Sequence, residues 1–152
     1  MNIRKATARD LSRIAEIFVF NNRINFFPIF KQEEYSFGEL QVVSLIDEYF
    51  SKDEILQTIF VAEDHGIVKG FMEIREKEIR KLYVDPCFQS QGIGDKLIEY
   101  AKKNFGVNFL WALEKNEGAR RFYNRHGFIE NGEKEFEEGT TEYIVRMVYE
   151  GR

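Results

Sequence analysis

Cysteine is almost missing from this sequence: Cys87 stands alone among 152 residues, so no disulfide can form within the chain. Histidine is nearly as scarce. His65 and His126 are the only two, and with a single cysteine they offer none of the Cys/His spacings of a zinc site. No segment approaches the roughly 18 uninterrupted apolar residues of a membrane-spanning helix. The opening "MNIRKATARD" is charged and lacks the apolar centre of a secretory leader. These absences point to a reducing, cytoplasmic setting with no membrane partner. An excess of basic charge is also missing, because 22 Lys and Arg face 26 Asp and Glu, for a net charge of -4. Without a basic tract to neutralise phosphates, no nucleic-acid partner is expected.

Apolar material, in contrast, is plentiful. Hydrophobic residues make up 43% of the chain and Phe alone accounts for 15 positions, enough for a folded domain with a real core. "NIRKAT" alternates as a first strand. The following "ARDLSRIAEIFVFNN" carries Leu11, Ile14, Ala15, Phe18 and Val19 at helical spacing, with Asp10 as its N-cap. Pro28 then interrupts an aromatic stretch that reads as a loop with one short helical turn, and residues 36–51 read as a second helix.

The second half is clearer. "TIFVAED", "IVKGFMEIR" and "EIRKLYVD" form a three-strand meander, with turns at His65-Gly66 and Glu76-Lys77. A helix runs from about Gln91 to Asn104, a strand follows in "VNFLWALEKN", and "EGARRFYNRHG" forms a short helix closed by Gly127. "FIENGEKEF" and "TTEYIVRMVYE" form a final hairpin. Helices between strands require at least one crossover, so the expected architecture is a single α/β domain over residues 1–152 with a mixed sheet.

The stretch "QSQGIGDKL" follows the third meander strand and opens a helix. It is not a P-loop, because Gly94 is followed by Asp95 and Lys96 with no adjacent Ser or Thr. It is not a dinucleotide fingerprint, because Leu97 occupies the place of the third glycine. Two readings remain from these residues: a tight turn packed closely on the sheet, or an anion cradle. For the cradle, a helix N-terminus offers unpaired N–H groups and its dipole, and glycines without Cβ allow close approach.

"LYVDPCFQSQGIGDKLIEYA" resembles motif A of the GCN5-related N-acetyltransferase (GNAT) superfamily, with Gln89, Gly92 and Gly94 on its [QR]xxGx[GA] signature. "ALEKNEGARRFYNRHGF" resembles the family's next strand and helix through Asn116, Tyr123, Gly127 and Phe128. The resemblance covers the order of elements from Asn2 to Tyr149. It implies a mostly antiparallel sheet in which two central parallel strands splay apart, flanked by helices on both faces. It also implies acetyl-CoA as the donor. The pantetheine arm would pair with the backbone at Leu82, Tyr83 and Val84. The pyrophosphate would rest on the N–H groups of Gln89, Ser90, Gln91, Gly92, Ile93 and Gly94.

Acetyl transfer from a thioester to an amine needs a neutral amine, a polarised carbonyl and a protonated leaving thiolate. In the family, a tyrosine matching Tyr123 protonates the thiolate. Tyr123 and Asn116 are seven positions apart and so share one helix face at ~100° per residue. Asn116 also reads as an N-cap, and contact with the CoA arm is compatible with that. For the base, Glu78 precedes Gln89 by the separation found in the histone-acetylating branch. Strict alternation puts Glu78 on the face of Leu82 and Val84. Glu73 is a second candidate and water a third. Where N-terminal acetyltransferases of ribosomal proteins carry a Glu, this chain has Trp111. Cys87 has no partner that would make it a nucleophile, and His126 reads as local packing or a helix C-terminal charge.

The acceptor would be an amine on a small molecule or a protein. Its walls would be the loop after the first helix, with Phe26, Phe27 and Phe30, and the final hairpin, where Glu130–Glu142 holds six Glu against Lys134. That acidic stretch is either a lure for cationic amines or a solvated turn. The family also admits homodimers through its last strands. A noncatalytic acyl-CoA-binding module is the alternative function.

Overall fold

In the computed structural model, which describes residues 1–151, the strands form one mixed sheet. They are β1 (Asn2–Lys5), β2 (Ile59–Asp64), β3 (Ile67–Arg75), β4 (Glu78–Val84), β5 (Phe109–Leu113), β6 (Phe128–Phe136) and β7 (Tyr143–Tyr149), in the order β1-β2-β3-β4-β5-β7-β6. All neighbours are antiparallel except β4 and β5, which run parallel. Their pairing covers only Glu78 and Ile79 against Phe109 and Leu110. Beyond that point the two strands separate, as the resemblance implied.

Helices cover both faces. On one, α1 (Leu11–Asn21) buries Ile14, Ala15 and Ile17 with Phe50, Val61 and Phe71. On the other, α5 (Ile93–Phe105) buries Leu97, Ile98 and Ala101 with Met72, Ile79 and Leu110. Between Asn21 and β2 lie the one-turn helices α2 (Phe27–Phe30), α3 (Val42–Leu45) and α4 (Asp53–Leu56). After β5 comes α6 (Glu117–Arg125).

Several boundaries differ from the sequence reading for local reasons. Asp10 stands at the N-cap position of α1, but its side chain makes no capping bond to that helix. A short 3₁₀ turn precedes that helix, and the Asp10 carboxylate instead accepts the Thr7 N–H at 2.8 Å and two bonds from Arg4. The helix does not stop before the aromatic stretch either. It widens into π-type turns over Asn22–Phe26 and resumes through Phe27–Phe30, ending where Lys31 takes a left-handed φ of 55°. The wider turn offers Pro28 a way into the helix, since its ring would otherwise collide with the carbonyl four residues back. The expected helix over 36–51 is split, because Leu40 and Gln41 are extended.

Alternation along β4 is broken as well. Glu73 pairs with Lys81 and Ile74 with Ile79, so Arg80 is an extra residue in a β-bulge. Ile79 therefore shares the α5 face with Leu82 and Val84, and Glu78 lies on the opposite face with Lys81 and Tyr83. The parity assigned to Glu78 from strict alternation is corrected by that single inserted residue.

The close seat of α5 on the sheet depends on Gly70 in β3. A Cβ there would lie 3.0 Å from the Tyr83 carbonyl and within 3.3 Å of the Ile93 and Leu97 side chains. Gly70→Ala is expected to lower stability by about 1–3 kcal/mol through overpacking, measured as a reduced urea midpoint. An unchanged midpoint would mean that α5 shifts freely on β3.

Candidate functional site

The separation of β4 and β5 opens a cavity of about 1360 Å³ that runs through the sheet from α5 and α6 to the segment after α1. Nearly all the residues singled out from the sequence converge on it. Leu82, Tyr83 and Val84 line its β4 wall, Gln89, Ser90, Gly92, Ile93 and Gly94 its glycine-loop end, and Asn116 and Tyr123 its α6 side. Gln91 does not line it; its side chain is exposed.

The loop has the makings of an anion cradle. Among the described residues, no backbone N–H from Gln89 to Asp95 donates to a protein acceptor, and the first bond of α5 is Lys96 N–H to the Gly92 carbonyl. Gly92 caps the helix at φ 82°, with open space where a Cβ would stand. Gly94 serves packing as well, since a Cβ on it would lie 3.2 Å from the Phe122 ring of α6. Close packing therefore accounts for Gly94, while Gly92 has the open left-handed geometry that an anion cradle requires. The N–H row, the left-handed turn and the missing Cβ suit a phosphate group.

The cradle is anchored from two sides. Asp85, at the end of β4, accepts Arg13 at 2.8 Å and the Cys87 N–H at 2.8 Å. Burial opposes its ionisation, but these donors outweigh burial and hold its carboxyl below the usual carboxylate range. Arg13 also donates to the Val68 carbonyl at 2.7 Å, so α1, β3 and the start of the loop share one guanidinium. On the other side, His126 places one ring nitrogen 2.7 Å from Asp95 and the other 2.7 Å from Glu99, with the tilted Phe122 ring 5.0 Å away. His126 thus ties α6 to the first turns of α5, a more specific role than packing or a helix-end charge.

Asn116 caps α6, its side chain accepting the Ala119 N–H at 3.2 Å, while also lining the cavity. Tyr123 packs against Phe122 and Phe128. Burial raises its phenol above the ordinary tyrosine value, so the group keeps its proton at neutral pH. Its hydroxyl has no protein partner among the described residues.

The two candidate bases part company. Glu73 is 1% exposed and fully engaged: it accepts Tyr49 at 2.7 Å and pairs with Lys81 at 3.2 Å. It does not line the cavity. Glu78 does, is half-buried and has no ion-pair or hydrogen-bond partner in its side chain among the described residues.

At the far end of the cavity Phe26 and Phe30 form a wall, whereas Phe27 packs on Phe37 away from it. Tyr83, on the opposite face from Leu82, is ringed by Phe18, Phe26 and Phe71. Burial pushes its phenol up, and the Tyr123, Glu137 and Tyr35 groups add to the effect. Five of the six hairpin acids split into two sets. Glu130, Glu133 and Glu142 pair with Arg120, Arg146 and Lys115, while Glu137 and Glu138 face the cavity without a cation within salt-bridge reach among the described residues.

One residue on the cavity wall carries no motif and went unread in the sequence. Asn21, at the last turn of α1, donates at 2.9 Å to the Ile17 carbonyl and at 2.9 Å to the Val84 carbonyl. Only an unusually polar position on the buried stripe of α1 signalled it. Gln89 folds its side chain back to the same Val84 carbonyl at 3.3 Å, so that of Gln89 only the N–H is left for an anion.

Residues 56–130 match the family described as the acetyltransferase (GNAT) domain. An uncharacterised N-acetyltransferase of Archaeoglobus fulgidus is 31% identical over 140 residues, which cover 81% of this chain and 89% of that protein. One of Methanocaldococcus jannaschii is 38% identical over 93 residues, 58% of this chain, which spans only 40% of that relative's length. Among solved structures, the PaiA N-acetyltransferase of Thermoplasma acidophilum, in complex with coenzyme A, is 25% identical, with a TM-score of 0.70 over 97% of this chain and 98% of that one. The apo form of YjaB from Escherichia coli is 21% identical with a TM-score of 0.74, covering 99% of this chain and 98% of its own, which shows the shared fold. From its splayed parallel strands, its glycine loop and these relatives, the chain belongs to the GNAT superfamily.

Proposed function

We propose that this chain moves an acetyl group from acetyl-CoA directly to the nitrogen of an amine. The observation that carries the reading is the gap between β4 and β5, with the free N–H row of Gln89–Asp95 at one end and the Tyr123 hydroxyl on its side. Family membership and the coenzyme A bound to the Thermoplasma acidophilum relative support the choice of donor.

The residues fit the donor part by part. Pyrophosphate needs backbone donors and close approach, which Gly92 and the first turn of α5 offer without a cationic side chain. The amide-bearing arm needs an unpaired strand edge, and β4 beyond Ile79 has one facing β5. When bound, acetyl-CoA supplies an activated thioester. The protein supplies orientation and proton transfer, the two largest needs of such a reaction.

Tyr123 is the acid. Its raised phenol stays protonated in the resting site, so an O–H is present to donate to a departing thiolate. Glu78 is the base. The bulge at Arg80 turns it to the face covered by α1 and its following turns, where the aromatic wall lies, and among the described residues no counter-ion neutralises it. Glu73 is unsuited, since Tyr49 and Lys81 occupy its oxygens. The acceptor is an amine whose positive charge is favoured near Glu137 and Glu138 and lost to Glu78 before attack.

Tyr123→Phe is expected to lower kcat on the order of 100-fold while calorimetric coenzyme A affinity stays within twofold. Turnover unchanged in an amine-panel assay of free thiol release would remove Tyr123 as the acid. For Glu78→Gln, a similar loss of kcat/KM is expected; an unaltered kcat/KM would assign the base to water. Gly92→Glu puts a carboxylate at the cradle and a Cβ at φ 82°, and coenzyme A binding is expected to fall at least about 100-fold. Binding untouched by that change would overturn the donor site. Donor binding with no turnover on any amine would instead favour a noncatalytic acyl-CoA-binding module.

A further inference from the structure

We propose that Asn21 is a positioning residue for the donor: its amide holds the Val84 carbonyl in place at the mouth of the β4/β5 gap, and that carbonyl sets the register of the donor's amide arm. This rests on the acetyl-CoA reading above.

The direction of the Val84 carbonyl follows from the backbone. The Asp85 N–H bonds the Lys69 carbonyl on the β3 side at 2.8 Å. In a trans peptide the C=O points opposite to the N–H, so the Val84 oxygen points away from β3 and into the gap. No β5 group meets it, because the β4–β5 ladder ends at Ile79. A carbonyl there with no partner would cost desolvation energy and would be free to tilt.

Two side-chain amides meet it instead, and they are not equivalent. Asn21 is 3% exposed, and its two amide hydrogens are committed at 2.9 Å each, one inside α1 to Ile17 and one to Val84. Its oxygen accepts Asn25 at 3.3 Å and, more weakly, the Gln89 amide at 3.5 Å. The side chain is therefore fixed at both ends within its own helix. Gln89 is exposed and its bond to Val84 is longer, 3.3 Å. A carbonyl oxygen accepts two bonds. The buried Asn21 bond is the permanent one, and the Gln89 bond is the one that an arriving amide N–H replaces.

The residue type follows from that job. An aspartate of equal size has no N–H and would set its carboxylate against two carbonyl oxygens. A leucine would donate to neither carbonyl and would leave Val84 with only the longer Gln89 bond. Because Asn21 lies where α1 passes into the π-type turns that carry Phe26, it also couples the donor strand to the acceptor wall.

The test uses coenzyme A itself. Calorimetry on Asn21→Asp at pH 8 is expected to show coenzyme A binding weakened about tenfold relative to wild type, the KM for acetyl-CoA rising in step and the KM for the amine moving less. Burial against two carbonyl oxygens raises the substituted carboxyl above the usual carboxylate range, so lowering the pH to 5 returns a proton and with it one donor, and the variant-to-wild-type affinity ratio should rise. A merely structural role would lower Tm and leave that ratio flat. Affinity within twofold of wild type at pH 8, or a loss that does not recover, would overturn the proposal.

Should Asn21→Asp not fold, NMR of wild-type side-chain amides decides: Asn21 should exchange slowly with and without coenzyme A, while the Gln89 signals shift on binding. Fast exchange at Asn21 would overturn the assignment. A wild-type chain that binds no coenzyme A would reject the donor reading itself, an outcome distinct from wild-type binding that Asn21→Asp leaves unchanged.

Discussion

Everything distinctive in this fold depends on a ladder that stops. β4 and β5 begin as an ordinary parallel pair and share only two residues on each strand before they diverge. A buried strand edge without a neighbour is unfavourable, because each N–H and C=O there has left water and found no partner. The chain meets that cost in two ways. Side chains such as Asn21 satisfy part of the edge, and the rest lies open to a ligand able to act as a missing strand. The binding site is thus a defect in the sheet, held open by the helices on either face.

Holding it open takes charge as well as packing. Arg13 joins α1, β3 and Asp85 at the far end of β4, and His126 joins α6 to the first turns of α5. Under the sheet, Glu73 is buried with Tyr49 and Lys81. Burial lowers the lysine from its ordinary value despite its carboxylate partner. Breaking such a buried pair leaves an uncompensated charge, so the cluster favours one arrangement of β3, β4 and the α3–β2 region over its alternatives. Gly70 and Gly94 complete the frame by letting α5 come close to the strand beneath it and to Phe122 beside it.

The glycine-loop end of the cavity was legible because backbone geometry leaves marks in sequence. A strand, a loop with glycines at the right spacing and a helix start were all visible in "QSQGIGDKL", and Asn116 and Tyr123 lay on one face by helical period alone. The aromatic and acidic end was less legible. Pro28 suggested a loop, yet the chain widened its helix to accept it. The acidic hairpin read as one feature, but cations from β7, α6 and the segment before α6 neutralise some of its carboxylates and leave Glu137 and Glu138 facing the cavity. Glu78 was assigned the wrong face, since a period of two has no means of announcing the extra residue at Arg80.

By itself the sequence determined the strands, their order, the two long helices of the second half, the glycine loop and the family resemblance, because these rest on local periodicity, on turn residues and on short motifs. Only the tertiary structure decided which way Glu78 points, that Glu73 is occupied, that Gln89 folds back, and that Asn21 meets the end of β4 across 63 positions of chain. Those outcomes depend on contacts between residues far apart in sequence, and a bulge or a buried amide acquires its partner only once the strands and helices have packed.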